Sequence, residues 1–379
     1  MTTRRAHGEG SIYKRSDGRW CGSIRHDDAE GRSTRTVLYG RTKSEVRDKL
    51  KAAIARVDEG APVRDATATV GAWLKEWRET QLAASNLKPT TRSLYTSCSK
   101  NHLEPEPFGK ITLDRLKPSH IDRLILDLRE KELASSTVRQ IYHVLRLALA
   151  GAVRDKHIAR NPCEAVARPT TERREARYLS AADVSALLGA AESSRYHALL
   201  ELIARTGMRR GEALALKWQD VDLEAGTLRI RGTLARVDGK LLVTEPKTAK
   251  SRRTLPLSPA LIARLKWQQG TQTRECKRAG NTWYETGFVF TTETGRPVDG
   301  RDLYRTLQAA AKRAKLTGVG IHTLRHSAAT VMLENGVNLK AVSDLLGHSS
   351  IAITGDVYAH VSEKTARDAI DALSNAIGF

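Results

Sequence analysis

Four side chains toward the end of the sequence, His322, Arg325, His348 and Tyr358, have the types and order that suit attack on a phosphodiester. They lie in the stretch HTLRHSAATVMLENGVNLKAVSDLLGHSSIAITGDVY, which begins at His322. The negative oxygens of such a substrate repel a nucleophile, so charge building in a pentavalent transition state must be neutralised; guanidinium groups do this bidentately and without a metal. A tyrosine with a reference pKa of about 10 is a weak nucleophile at neutral pH, and needs a proton acceptor and a cationic surrounding that favours phenolate. His322 is the candidate acceptor, and His348 the candidate hydrogen-bond partner of the phosphate.

These residues need helices to present them. Leu324, Ala328, Val331 and Met332 recur at helical spacing, so His322 and Arg325, three apart, project from neighbouring positions of one helix. Gly336 ends that helix. A second, with Val342, Leu345 and Leu346 on its buried stripe, ends at Gly347 and delivers His348 into the following loop. Gly355, three residues before Tyr358, is a departure, because a helical or apolar residue there would give the tyrosine a stiffer lead-in.

The words HTLRH at 322 to 326, LLGHSS at 345 to 350, the Tyr358 of DVYAHV and the upstream TGMRRGEALAL from Thr206 to Leu216 together resemble the tyrosine recombinases, or phage-type integrases. The resemblance implies that Arg209, in the TG-x-R word, binds the scissile phosphate together with Arg325, and that Glu212 is the acid supporting Arg209. Arg210 is the rival for the Arg209 position. It also implies that Lys247, on the basic turn PKTAKSRR, is the catalytic lysine that protonates the leaving 5′ oxygen, with Lys250 as the alternative. No metal and no cofactor are expected.

Composition agrees with a DNA partner. The 379 residues carry a formal net charge of +20, the footprint of a protein that displaces counterions from a phosphate backbone, and 40% hydrophobic residues over this length allow two or three packed domains. No window approaches about eighteen uncharged apolar residues and MTTRRAHGEG has no apolar signal region, so a cytoplasmic protein without a membrane span is expected. Cys21, Cys98, Cys163 and Cys276 are far apart and form no C-x-x-C, so reduced, mostly packed thiols are expected.

The expected fold is α+β and multidomain. Residues 1–60 read as a small sheet backed by a helix. Ser11 to Arg15, Trp20 to His26 and Thr34 to Tyr39 are strands, the first two joined at Asp17-Gly18, and Thr42 with Glu45 opens the helix that carries Val46, Leu50, Ala53, Ile54 and Val57. Lys14, Arg15, Arg19, Arg25, Arg32 and Arg35 make this sheet basic, and it resembles the family's arm-binding domain. Residues 60–66, GAPVRDA, read as a linker. Residues 67–167 hold four amphipathic helices, around Val70 to Trp77 and from Pro89, Pro118 and Ser136, and resemble the core-site DNA-binding domain; Lys88, Arg92, Lys100 and Arg139 are its candidate phosphate contacts. A charged, proline-bearing segment at 168–177 is the expected second linker. The mainly helical catalytic domain then spans 178–379. Within it Ser180 and Asp183 cap one helix, another leads into Thr206-Gly207, and Thr227–Gly232, Leu241–Thr244 and Arg253–Leu257 are expected to form one antiparallel meander. Helices around Pro259 to Gln268 and Asp302 to Ala314 complete this scaffold before His322.

The implied reaction leaves a 3′-phosphotyrosine that stores bond energy, so rejoining needs no ATP. Four protomers on two duplex attachment sites would exchange strands through a four-way junction, in integration and excision of a phage or mobile element, with a directionality factor and a host DNA-bending protein as further partners. A type IB topoisomerase, a non-catalytic DNA-binding regulator and a metal nuclease are the alternatives. After Ser362, Ala366, Ala369, Ile370, Leu373 and Ile377 form an apolar stripe expected to dock on a neighbouring protomer.

Overall fold

The structure is a computed structural model that describes residues 10–27, 33–58, 68–171, 177–245 and 252–348, together with Ser350, Ile351, Gly355, Asp371, Ser374 and Ile377. The linker at 60–66, Arg32, Lys247, Lys250, Tyr358 and all of the C-terminal stripe except Ile377 lie outside the described residues. The chain divides into two compact units, Met1–Arg173 and Arg174–Phe379.

In the first unit, β1 (Ser11–Lys14), β2 (Trp20–Asp27) and β3 (Ser33–Gly40) form an antiparallel sheet in the order β1-β2-β3. Helix α1 (Lys43–Asp58) starts at Thr42, whose hydroxyl accepts from the Glu45 N–H at 3.1 Å while Glu45 accepts from the Arg41 N–H at 2.8 Å. Gly22 faces α1 at close range, since a Cβ there would lie 2.9 Å from Val46 Cγ1. Ile24, Leu50 and Ala53 bury beside it. The strand period of two then places Arg25, Arg35, Tyr13 and Tyr39 on the opposite face, with Arg25 directly across from Arg35. All four are exposed.

The same unit contains α2 (Val70–Trp77), α3 (Pro89–Cys98), α4 (Pro118–Glu130) and α5 (Ser135–Arg154). Proline at the first helical position of α3 and α4 gives up an N–H that has no helical partner anyway. The stripes Ile121, Leu124, Ile125, Leu128 and Val138, Ile141, Val144, Leu145, Ala148 are buried, each large aliphatic side chain contributing about 1.5–3 kcal/mol. The Trp73 indole donates to the Ala148 carbonyl at 2.8 Å, which satisfies its one polar group inside this core.

The second unit opens with α6 (Ala181–Ala190), capped reciprocally by Ser180 and Asp183, followed by α7 (His197–Thr206) and the short α8 (Arg210–Leu214). Helix α9 (Pro259–Ala279), α10 (Gly300–Arg313), α11 (Ile321–Glu334) and α12 (Leu339–Leu346) complete it. One core runs from Leu179 through Leu199, Leu202, Leu265 and Leu307 to Leu324.

The strands differ from the expected meander. β4 (Val221–Asp222), β5 (Thr227–Arg229) and β8 (Thr254–Pro256) form one sheet, whereas β6 (Thr233–Val237) and β7 (Lys240–Thr244) form a separate hairpin. The segment around Leu241–Thr244 therefore pairs with β6, a strand absent from the expectation. The reason is local: Asp238 (φ +47°) and Gly239 (φ +82°) form the turn, an Asp-Gly pair with left-handed backbone at both positions that closes a two-residue hairpin. Among the described residues no helix is long and apolar enough to cross a membrane. Cys21, Cys98 and Cys163 are buried, Cys276 is half-buried, and all four are free thiols.

Candidate active site

The site forms at the C-terminal end of α12. Gly347 caps that helix in the left-handed conformation, φ +66°, and the chain turns so that the His348 N–H donates to Ser343 O at 3.0 Å. The last carbonyls of any helix lack helical partners and carry the negative end of its dipole. Here three arginines fill that role. Arg253 Nε donates to Leu345 O at 2.5 Å, Arg325 Nη2 to Leu346 O at 2.8 Å and Arg209 Nη2 to Gly347 O at 2.8 Å.

Each arginine comes from a different element. Arg209 is the N-cap residue of α8, placed by the αL turn at Gly207 that ends α7. A Cβ at Gly207 would lie 2.3 Å from Leu346 Cδ2, so the turn packs directly on the last residue of α12. Arg325 sits on α11, is 6% exposed, and also donates to the Gly207 carbonyl at 2.6 Å. Arg253 precedes β8.

Glu212 binds the group together. Its Oε1 accepts from Arg209 Nη1 at 2.8 Å, and its Oε2 accepts from the Arg209 backbone N–H at 3.0 Å and from Arg253 Nη2 at 3.1 Å. Burial acts to raise its pKa, but Arg253 and Arg209 outweigh that and hold the carboxyl below its ordinary value. Burial, then repulsion from Arg209, pushes the Arg325 pKa down to about 9, still above neutrality, so its charge persists at physiological pH. His348 is half-buried, and burial followed by Arg325 and Arg209 pushes it down to about 4. It is therefore neutral at pH 7, and one ring nitrogen can donate while the other accepts.

His322 lies on the exposed side of the first turn of α11. Desolvation by the surrounding protein, followed by Arg210, His326, Arg325 and Arg209, lowers its pKa, which leaves the imidazole neutral and able to take a proton. Arg210 is exposed and runs along Gly300, where a Cβ would lie 3.1 Å from its Nε. Arg209, not Arg210, thus reaches the end of α12, while Arg210 is the cation that most affects His322. Two neighbours were not singled out from sequence, Arg253 and the half-buried His326. Nothing in the pattern of SRRTLPL distinguishes Arg253 from Arg252; only its burial against Glu212 does. Among the candidate DNA contacts, Lys14, Arg15, Arg19, Arg25, Arg35 and Lys100 are exposed and Lys88 is half-buried. Arg92 donates to its own domain at Ala83 O (3.1 Å) and Arg139 to Thr171 Oγ1 (3.2 Å).

Three arginines gathered around one buried carboxylate at a helix end, with two histidines of lowered pKa beside them, on this mainly helical scaffold, have the makeup of a tyrosine recombinase site. Comparison with known proteins agrees: residues 177–365 match the phage integrase family, and the chain belongs to the tyrosine recombinases, a family of DNA strand-exchange enzymes. It is 31% identical over 366 residues to a XerC-like tyrosine recombinase of Caldanaerobacter subterraneus, covering 92% of this chain and 93% of that protein. It is 26% identical to an integrase of Saccharopolyspora erythraea, covering 98% and 97% of the two chains. The fold is shared with the Tn1549 transposon integrase, solved in complex with transposon right-end DNA (TM-score 0.65, 22% identity, 81% of this chain and 99% of that one). It is shared also with lambda integrase, solved as a tetramer bound to a Holliday junction (TM-score 0.60, 22% identity, 93% and 96%).

Proposed function

We propose that this recombinase is the integrase of a phage or other mobile element, which cleaves and rejoins duplex attachment sites through Tyr358. The observation that carries the reading is the convergence of Arg209, Arg325 and His348 on the end of α12, ten residues before that tyrosine. Arg209 and Arg325 hold the two non-bridging oxygens of the scissile phosphate, and His348 donates a hydrogen bond to one of them. His322 accepts the phenolic proton as Tyr358 Oη bonds to phosphorus, and Lys247 protonates the departing 5′ oxygen. The resulting 3′-phosphotyrosine is attacked by the 5′-hydroxyl of a second strand, so the number of phosphodiester bonds is unchanged and no cofactor is consumed.

The remaining parts follow. Residues 1–60 bind arm-type DNA with the face carrying Arg25 and Arg35, and residues 67–167 bind the core site through Lys88, Arg92 and Arg139. Residues 178–379 carry catalysis. Four protomers act on paired sites through a four-way junction, as the lambda integrase tetramer on its Holliday junction suggests by analogy. Ile377, 62% exposed in the single chain, supports docking of the C-terminal segment on a neighbouring protomer.

Mapping covalent protein–DNA adducts on fragments of the host and element genomes tests activity and cleavage site together. Wild-type protein is expected to form a 3′ adduct at one site, and Tyr358→Phe to bind the same fragment without an adduct. Adduct formation by the phenylalanine variant would refute the assignment and direct attention to the exposed Tyr304 on α10. Appearance of four-way junctions on paired sites separates a recombinase from a topoisomerase.

A further inference from the structure

Arg253 has no part in the reaction as written above, yet its side chain is 8% exposed and lies inside the site. Its main chain is fixed by the sheet, where its carbonyl accepts from the Ile230 N–H at 2.9 Å. Its guanidinium reaches two places at once: Nε donates to Leu345 O, and Nη2 and Nη1 donate to Glu212 Oε2 and Oε1 at 3.1 and 3.4 Å. Gly347 leaves the space for it, because a Cβ at that position would lie 2.7 Å from Arg253 Nη1.

The charge balance explains why a third arginine is needed. Arg209, Arg253 and Arg325 supply three positive charges and Glu212 one negative charge, which leaves two positive charges in the cluster. The pentavalent phosphorane develops two negative charges. Without Arg253, the buried carboxylate that orients Arg209 would also cancel one of the two cations that face the phosphate. The Glu212 and Arg253 side chains are only 3% and 8% exposed, so such an imbalance between them is poorly screened.

We propose that Arg253 is a positioning residue for strand cleavage: it offsets Glu212, so that Arg209 can be both oriented and fully charged, and it ties Leu345 O, so that the end of α12 presents His348 in register. The inference rests on the cleavage reading proposed above.

Single-turnover cleavage by the full-length protein, on a nicked duplex carrying its mapped cleavage site, tests it. Wild type, Arg253→Met, Arg253→Lys and the double variant Glu212→Gln with Arg253→Met are compared, with duplex affinity and thermal unfolding recorded for each. Arg253→Met is expected to cleave about a hundredfold more slowly with duplex affinity unchanged. Removing the unbalanced carboxylate in the double variant is expected to recover about tenfold, a rescue that a purely structural role for Arg253 does not produce. Arg253→Lys keeps the charge and is expected to lose less than about tenfold. Wild-type rates in Arg253→Met, or a double variant no faster than Arg253→Met, would overturn the proposal. If Arg253→Met does not unfold cooperatively, the lysine variant decides, and a loss of about a hundredfold there overturns the charge role. Absence of any adduct with wild type would instead sink the cleavage reading itself, and this inference with it.

Discussion

Arg209 and Arg325 donate to consecutive carbonyls of one helix end, Arg209 Nη2 to Gly347 O and Arg325 Nη2 to Leu346 O, each at 2.8 Å. Two residues more than a hundred positions apart in sequence are thereby locked side by side by backbone atoms that cannot move independently. The helix end gains cations where its dipole is negative, and the arginines gain a fixed geometry before any substrate arrives. On the cleavage reading proposed above, that is preorganisation in the physical sense, since both guanidinium groups are held in place before charge develops on phosphorus.

Arg325→Lys should break this arrangement although it keeps the charge. A single ammonium cannot span Gly207 O and Leu346 O in the fork geometry that Arg325 uses. Single-turnover cleavage is expected to fall by about 10²–10³-fold with duplex affinity nearly unchanged. A rate within a few-fold of wild type would show that the fork is dispensable.

Gly207→Ala should destabilise the protein rather than alter its chemistry directly. The residue has φ +64°, and its new Cβ would collide with Leu346 Cδ2 at 2.3 Å. Left-handed strain and overpacking together are expected to cost about 2–4 kcal/mol. Denaturant unfolding checks this through a lower midpoint at unchanged slope. An unchanged midpoint would mean that α12 moves away freely.

The pH dependence of stability follows from His348. Its folded pKa of about 4 lies below the ordinary 6.5, so between these values the unfolded chain binds a proton that the folded protein does not. Unfolding free energy should therefore rise with pH from about 4 to about 6.5 and be insensitive to this group above that window. His348→Gln is expected to flatten part of the slope; His322 and His326, whose pKa values are also lowered, account for a further share. Equilibrium unfolding of both proteins across that range measures it, and an identical slope would exclude His348 as the source.

Deleting residues 1–60 should abolish recombination between full attachment sites while leaving adduct formation on a short core duplex. Loss of core cleavage by a truncated protein that still unfolds cooperatively would show that this segment contributes to catalysis and not only to arm-site binding.

The sequence by itself determined what depends on neighbours along the chain. The capping of α6 by Ser180 and Asp183, the left-handed stops at Gly207 and Gly347 and the stripes of α4 and α5 are local signals, and their strength does not depend on the rest of the fold. The Asp238-Gly239 turn carries the same local hairpin signal as Asp17-Gly18, and it pairs β6 with β7 apart from the β4-β5-β8 sheet. The residue types for the phosphate chemistry could be named from four short words. What only the tertiary structure decided was which cations meet. The TG-x-R word favours Arg209 over its neighbour Arg210, but Arg252 and Arg253 are adjacent and chemically identical, and neither motif nor periodicity separates them. Burial does: Arg209 and Arg253 share the carboxylate of Glu212 and reach the end of α12, whereas Arg210 is exposed and Arg252 pairs with the exposed Glu245. A buried charge requires a partner; Arg209 finds Glu212 three positions on, but Arg253 reaches it across 41 positions and reaches the end of α12 across 92.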